Sequence, residues 1–86
     1  MSNKEVINAF VNGKNARSSN GNLKSVNGKL ISYYTTIAQK NEDGTFVLNT
    51  TKYSVSTSKI QTWTKHALRF YDYKEVTNIP IGAHSL

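Results

Sequence analysis

Six polar residues, Lys59, Gln61, Thr62, Lys65, His66 and Arg69, are the side chains whose types and close spacing could do chemistry together. Their ammonium and guanidinium groups can neutralise phosphates, and the amide, hydroxyl and imidazole can hydrogen-bond base edges or a sugar–phosphate backbone. Catalysis is a poorer match to the same residues. His66 and the other histidine, His84, lie far apart in the chain, with no acid spaced to orient either. The adjacent acids Glu42 and Asp43 fall in a polar run ending at Gly44, where acids serve a turn better than a hard-metal site. No glycine-rich phosphate loop, His-Glu-x-x-His or nucleophile elbow occurs. The expectation is a non-catalytic protein with no catalytic residue, no metal ligand set and no cofactor.

Only a helix can present those six residues together. Stepping about 100° per residue from Ile60 places them on one arc, and Ile60, Trp63, Thr64, Ala67, Leu68, Phe70 and Tyr71 on the other. Ser56, Thr57 or Ser58 is the expected N-cap, so the helix is predicted from about Ser56 to Tyr71. Trp63 and Phe70 are then expected in the core and not as stacking platforms.

Charge placement offers a competing surface. Eleven Lys and Arg against five Asp and Glu give a net charge of +6. Five bases and no acid lie between Lys14 and Lys40, including Arg17, Lys24 and Lys29, and four bases and no acid lie between Gly44 and Tyr71. Such segregation can build a positive face that attracts nucleic acid, DNA or RNA. The absence of cysteine excludes disulfides and thiolate metal sites and suits a reducing cytosol. No segment approaches the roughly 18 apolar residues of a membrane span, so a soluble, cytoplasmic protein is expected, with no membrane partner.

The remaining segments read mainly as strands and turns. Glu5–Val11 reads as an opening strand or a short first helix, and its Val, Ile and Phe, closed by Asn12-Gly13, favour the strand. The polar loop Gly13–Asn22, with Lys14, Asn15 and Arg17, is a candidate for phosphate contact. Asn27-Gly28 between Leu23–Val26 and Leu30–Ala38 is a strong hairpin signal, because both central residues of a type I′ turn need φ > 0. In the second arm Ile31, Tyr33 and Ile37 are expected to meet the helix, leaving Ser32, Tyr34, Lys24 and Lys29 outward as stacking and charge groups. Lys40–Gly44 is a second hairpin connection into Thr45–Asn49, and a short strand is expected after Asp72. The predicted fold is α+β, a three- to four-stranded antiparallel sheet with one amphipathic helix packed on one face. One domain is expected over residues 1–79, with a loose tail over 80–86.

Three stretches carry a family resemblance: Ser32-Tyr33-Tyr34-Thr35-Thr36-Ile37-Ala38, Phe46-Val47-Leu48-Asn49, and Tyr53-Ser54-Val55-Ser56-Thr57-Ser58-Lys59-Ile60-Gln61. They resemble a family of short uncharacterised proteins and domains carried by tailed phages and other mobile elements, and the likeness extends to the Arg17–Asn20 loop and Leu23. The resemblance implies a phage or plasmid origin and an intracellular role, and supplies no catalytic residues. Two functions are compatible with it. One is nucleic-acid binding through a positive face; the other is an anti-defence protein that inhibits a host defence protein or ribonucleoprotein by direct binding. Exposed edge strands in a small sheet would also allow a homodimer.

Overall fold

Ser2-Asn3-Lys4-Glu5 forms a capping box, which makes a helix of the segment whose residue types favour a strand. In the computed structural model, which describes residues 1–86, helix α1 spans Asn3–Val11. The Glu5 N–H donates to Ser2 Oγ at 3.2 Å, and the Ser2 N–H donates to the Glu5 carboxylate at 2.9 Å. Val6, Ile7, Phe10 and Val11 then recur at helical spacing, and all are buried. Asn12-Gly13, expected to close a strand, caps the helix instead. Gly13 takes φ 73°, its N–H donates to the Phe10 carbonyl, and the Lys14 N–H donates to the Ala9 carbonyl, a Schellman motif.

The sheet is larger than expected and mixed. Strands β1 (Ala16–Arg17), β2 (Leu23–Val26), β3 (Lys29–Ser32), β4 (Thr35–Lys40) and β5 (Phe46–Asn49) precede helix α2 (Val55–Ala67) and β6 (Tyr73–Val76). The six strands lie in chain order, and every neighbouring pair is antiparallel except β5 and β6. The α+β class therefore holds, but a three- to four-stranded antiparallel sheet with one helix must be corrected to six strands and two helices. The β5–α2–β6 crossover accounts for the parallel pair, since the helix carries the chain back to the end at which β5 began. The Asn27-Gly28 hairpin forms as expected, with φ 50° and 79°. The single strand expected over Leu30–Ala38 breaks at Tyr33-Tyr34, where Tyr33 adopts φ 58° and reverses the chain.

Both helices lie side by side on one face of the sheet, α1 against β1 to β3 and α2 against β5. Their shared core joins Val6, Ile7, Phe10 and Val11 to Leu23, Leu30, Ile37, Ala38, Phe46, Leu48, Ile60 and Leu68. The Phe10 and Phe46 rings meet edge to face, with centroids 5.6 Å apart. Ile31 and Tyr33, expected in this core, lie outside it because the break at Tyr33 takes one out of the strand and the register turns the other away. The helix α2 also starts and stops earlier than its residue pattern indicates. Ser54 is its N-cap, its Oγ accepting the Thr57 N–H at 3.2 Å, and Leu68 is its C-cap, so Phe70 falls beyond the helix and is 85% exposed. The C-terminal segment is tied to β4: the Thr36 N–H donates to the Ala83 carbonyl, and the Gly82 N–H donates to Thr35 Oγ1.

The capping box has a pH signature. Hydrogen bonds from the backbone and then the side chain of Ser2 hold the Glu5 carboxyl below its ordinary value of 4.5. A carboxyl depressed on folding stabilises the fold above its unfolded value, and that contribution is lost as pH falls through the folded value. The melting-temperature difference between wild type and Glu5→Gln is thus expected to be constant above about pH 4.5, the ordinary value for Glu5, and to shrink below it. A difference that persists unchanged into stronger acid contradicts this role for Glu5.

Candidate nucleic-acid interface

Where the polar side chains of α2 point is decided by a buried amide pair. Asn49, at the end of β5, is fully buried, and its Nδ2 donates to the Thr36 carbonyl at 3.2 Å and to the Tyr53 hydroxyl at 2.8 Å. Gln61 Nε2 donates to the Asn49 carbonyl at 2.6 Å and to the Thr51 carbonyl at 2.9 Å, giving two backbone acceptors at the end of β5 a partner. Gln61, expected on the outer face, is therefore buried, because both of its amide hydrogen bonds run inward to the end of β5. Helix α2 is rolled relative to its hydrophobic arc. Thr57, Ile60, Gln61 and Thr64 face the sheet, while Trp63 and Ala67 sit at the margin against α1. Thr64 tolerates burial because its Oγ1 donates to the Ile60 carbonyl at 2.8 Å.

That roll divides the remaining predicted residues of α2 between two flanks. On the flank away from α1, Thr62 Oγ1 donates to the Ser58 carbonyl at 3.0 Å, and the Lys65 ammonium is 3.2 Å from the Glu75 carboxylate. The hydrogen bond and charge of Glu75 raise the Lys65 pKa above its ordinary value and leave that ammonium paired. On the other flank Lys59, His66 and Arg69 border the seam between the helices.

The seam is a groove in two parts joined at Trp63. One part, about 380 Å³, is lined by Lys4, Ile7, Asn8, Trp63, His66, Ala67 and Arg69. The other, about 260 Å³, lies between α2 and the Asn20–Leu23 and Ser32-Tyr33 segments and includes Asn3, Lys59 and Trp63. The Lys4 and Lys59 ammoniums lie 5.0 and 5.5 Å from the centroid of the Trp63 ring. Arg69 stacks on Phe70 with its guanidinium 4.6 Å from the ring centroid, while its Nη1 donates to the His66 carbonyl at 2.7 Å. No acid lines either part. Trp63, expected inside the core, is half-buried and lines both. Lys4 was missed because its position on a groove depends on α1 being a helix, a fact carried only by the Ser2 and Glu5 spacing.

Arg17, Lys24 and Lys29 lie on the opposite side of the molecule. Arg17 pairs with Lys24, and Lys29 lies in one cross-strand row with Gln39, Val47 and Lys74. Leu23, Ser25 and Leu30, which alternate with these positions, are buried toward the helices, so this row of bases faces away from them. The face is partly occupied, since the Leu86 N–H donates to Gln39 Oε1 at 3.1 Å. Ser32, expected outward, is buried on the helix side, whereas Tyr34 is 81% exposed at the β3–β4 turn. The loop residues Lys14 and Asn15 join Asn27, Gly28, Lys40 and Asn41 around a shallow polar cleft at one end of the sheet. The nine predicted contact residues therefore do not converge on one surface.

No three His, Cys, Asp or Glu side chains come close enough together to hold a metal ion, and no helix is long and apolar enough to cross a membrane. Comparison with protein-family models, with curated proteins and with solved structures finds no match.

The burial of Gln61 sets a clear contrast with its neighbour. Gln61→Ala strands two carbonyls and is expected to lower unfolding free energy in urea by roughly 1 to 3 kcal/mol. Thr62→Ala, which removes only an exposed back-bond, is expected to stay within about 0.5 kcal/mol of wild type. Equal effects contradict the assignment of Gln61 to the interior.

Proposed function

We propose that this chain is a non-catalytic nucleic-acid-binding protein whose contact surface is the groove between α1 and α2. The observation that carries the reading is the acid-free lining around Trp63, with Lys4 and Lys59 beside the ring and Arg69 further along the seam. Cations whose charge is not cancelled by a neighbouring acid are free to displace counterions from a phosphate backbone. A concave surface that adds an indole and several amides to those cations suits nucleic acid better than cations on a flat sheet. The sheet face offers Arg17, Lys24, Lys29 and Lys74 among aliphatic residues, with the C-terminal segment bonded at Gln39 in its midst. Lys65 is left out of the proposed contact set because its ammonium already lies 3.2 Å from the Glu75 carboxylate. The phage or plasmid origin implied by the family resemblance is compatible with a role on nucleic acid inside a host cell.

Binding of a labelled oligonucleotide measured against salt tests this reading. With three groove cations engaged, log K is expected to fall by roughly two to three per tenfold rise in salt. Lys4→Glu combined with Lys59→Glu is expected to abolish binding at low salt, and Lys24→Glu combined with Lys29→Glu to leave most of it. The reverse pattern would assign the sheet face and overturn the groove. Absence of binding at low salt, together with stoichiometric, nuclease-resistant co-purification with one host protein, would favour the anti-defence reading instead.

A further inference from the structure

The part of the groove that ends at Tyr33 has the chemistry of a slot for one planar heterocycle. It is an open depression of about 260 Å³, with Trp63 and Tyr33 in its lining. Around them stand polar groups that the protein itself leaves free. The Asn3 and Asn22 side-chain amides and Ser56 Oγ line the slot without a hydrogen-bond partner within the chain, and the Lys59 ammonium, which lies against the Trp63 ring, has no acid paired with it. Amides and hydroxyls offer both donors and acceptors, which is what the edge of a nucleobase requires, and aromatic rings accept its face. The ammonium has no use for an uncharged sugar but suits a phosphate.

Tyr33 supplies an independent observation. It occupies a two-residue hairpin loop between the paired residues Ser32 and Thr35, and its φ is 58°. That conformation is cheap for glycine or asparagine and strained for a bulky side chain. Its N–H donates to the Asn22 carbonyl at 2.7 Å, which holds the ring beside Asn22 at the slot, yet the residue stays half exposed. A half-exposed aromatic ring held beside the slot by a left-handed backbone is available for contact with a ligand.

We infer that this slot takes a single unpaired base, so that the groove prefers single-stranded nucleic acid over duplex. The inference rests on the nucleic-acid reading of the groove and adds the strand class and the residues that read it. A paired base cannot enter, because its face is covered by its neighbours in the stack and its edge is engaged by its partner.

Fluorescence anisotropy with a mixed-sequence single strand, the same strand annealed to its complement, and a strand of the same length made of abasic sugar phosphates tests the inference. The single strand is expected to bind roughly tenfold or more tighter than either of the others, the order of one stacked base. Tyr33→Gly is the informative variant, because glycine adopts φ 58° without strain and preserves the turn. It is expected to melt no lower than wild type, to lose roughly tenfold in single-strand affinity and to keep the same salt dependence. Asn22→Ala is expected to weaken single-strand binding with an unchanged salt slope. Equal affinity for all three ligands, or wild-type affinity in both variants, overturns the slot while leaving the groove as a phosphate-binding surface. Failure to bind any of the three at low salt overturns the slot and the groove together.

Discussion

The hydrogen bonds of Gln61 to the Asn49 and Thr51 carbonyls are the constraint on which the proposed contact surface depends. Asn49 belongs to β5, and its side chain reaches Thr36 in β4 and the Tyr53 hydroxyl, which in turn donates to the Ile79 carbonyl at 2.7 Å. The Ile79 N–H donates to Thr51 Oγ1, so the start of α2, the end of β5 and the segment after β6 are joined through one polar network. No buried side-chain nitrogen or oxygen lacks a partner. A network satisfied this completely can sit inside a thin core without the cost of orphaned polar groups. It also fixes the rotation of α2 about its own axis.

That rotation determines what the protein presents to solvent. With Gln61 turned inward, Trp63 moves to the edge of the core, where α1 leaves it half covered and where Lys4 and Lys59 approach its ring. The opposite flank brings Lys65 to Glu75 on β6 and removes one cation from the available set. The unpaired bases are thus divided mainly among a concave, aromatic groove, the outer face of the sheet and the cleft around Lys14 and Lys40. Composition describes the sum and cannot describe this division, because it follows from strand pairing and helix roll.

Much of the fold was legible where the signal is local. Asn27-Gly28 can satisfy a type I′ turn wherever it occurs, and the Lys40–Gly44 turn and α2 were equally visible in residue pattern. The first helix was legible but misread: Val6, Ile7 and Phe10 suit a strand by propensity, and the Ser2-x-x-Glu5 capping box overrides that preference. The parallel β6 and the sixfold strand count required knowing that α2 crosses over the sheet. The site was harder to see, since it depends on contacts between distant segments. Gln61 looks like any surface glutamine until Asn49 is placed beside it, and Lys4 acquires a partner only when α1 lies along α2. Tyr33 in a left-handed conformation carries no sequence signal at all, because that position usually calls for glycine or asparagine.

The groove can be interrogated through its own chromophore, since Trp63 is the only tryptophan in the chain. Its emission should change saturably as an oligonucleotide is added at low salt, and should return to the free-protein spectrum when salt is raised enough to dissociate the complex. An emission spectrum that stays constant while an independent measurement reports the oligonucleotide bound would place the contact elsewhere on the molecule and contradict the groove.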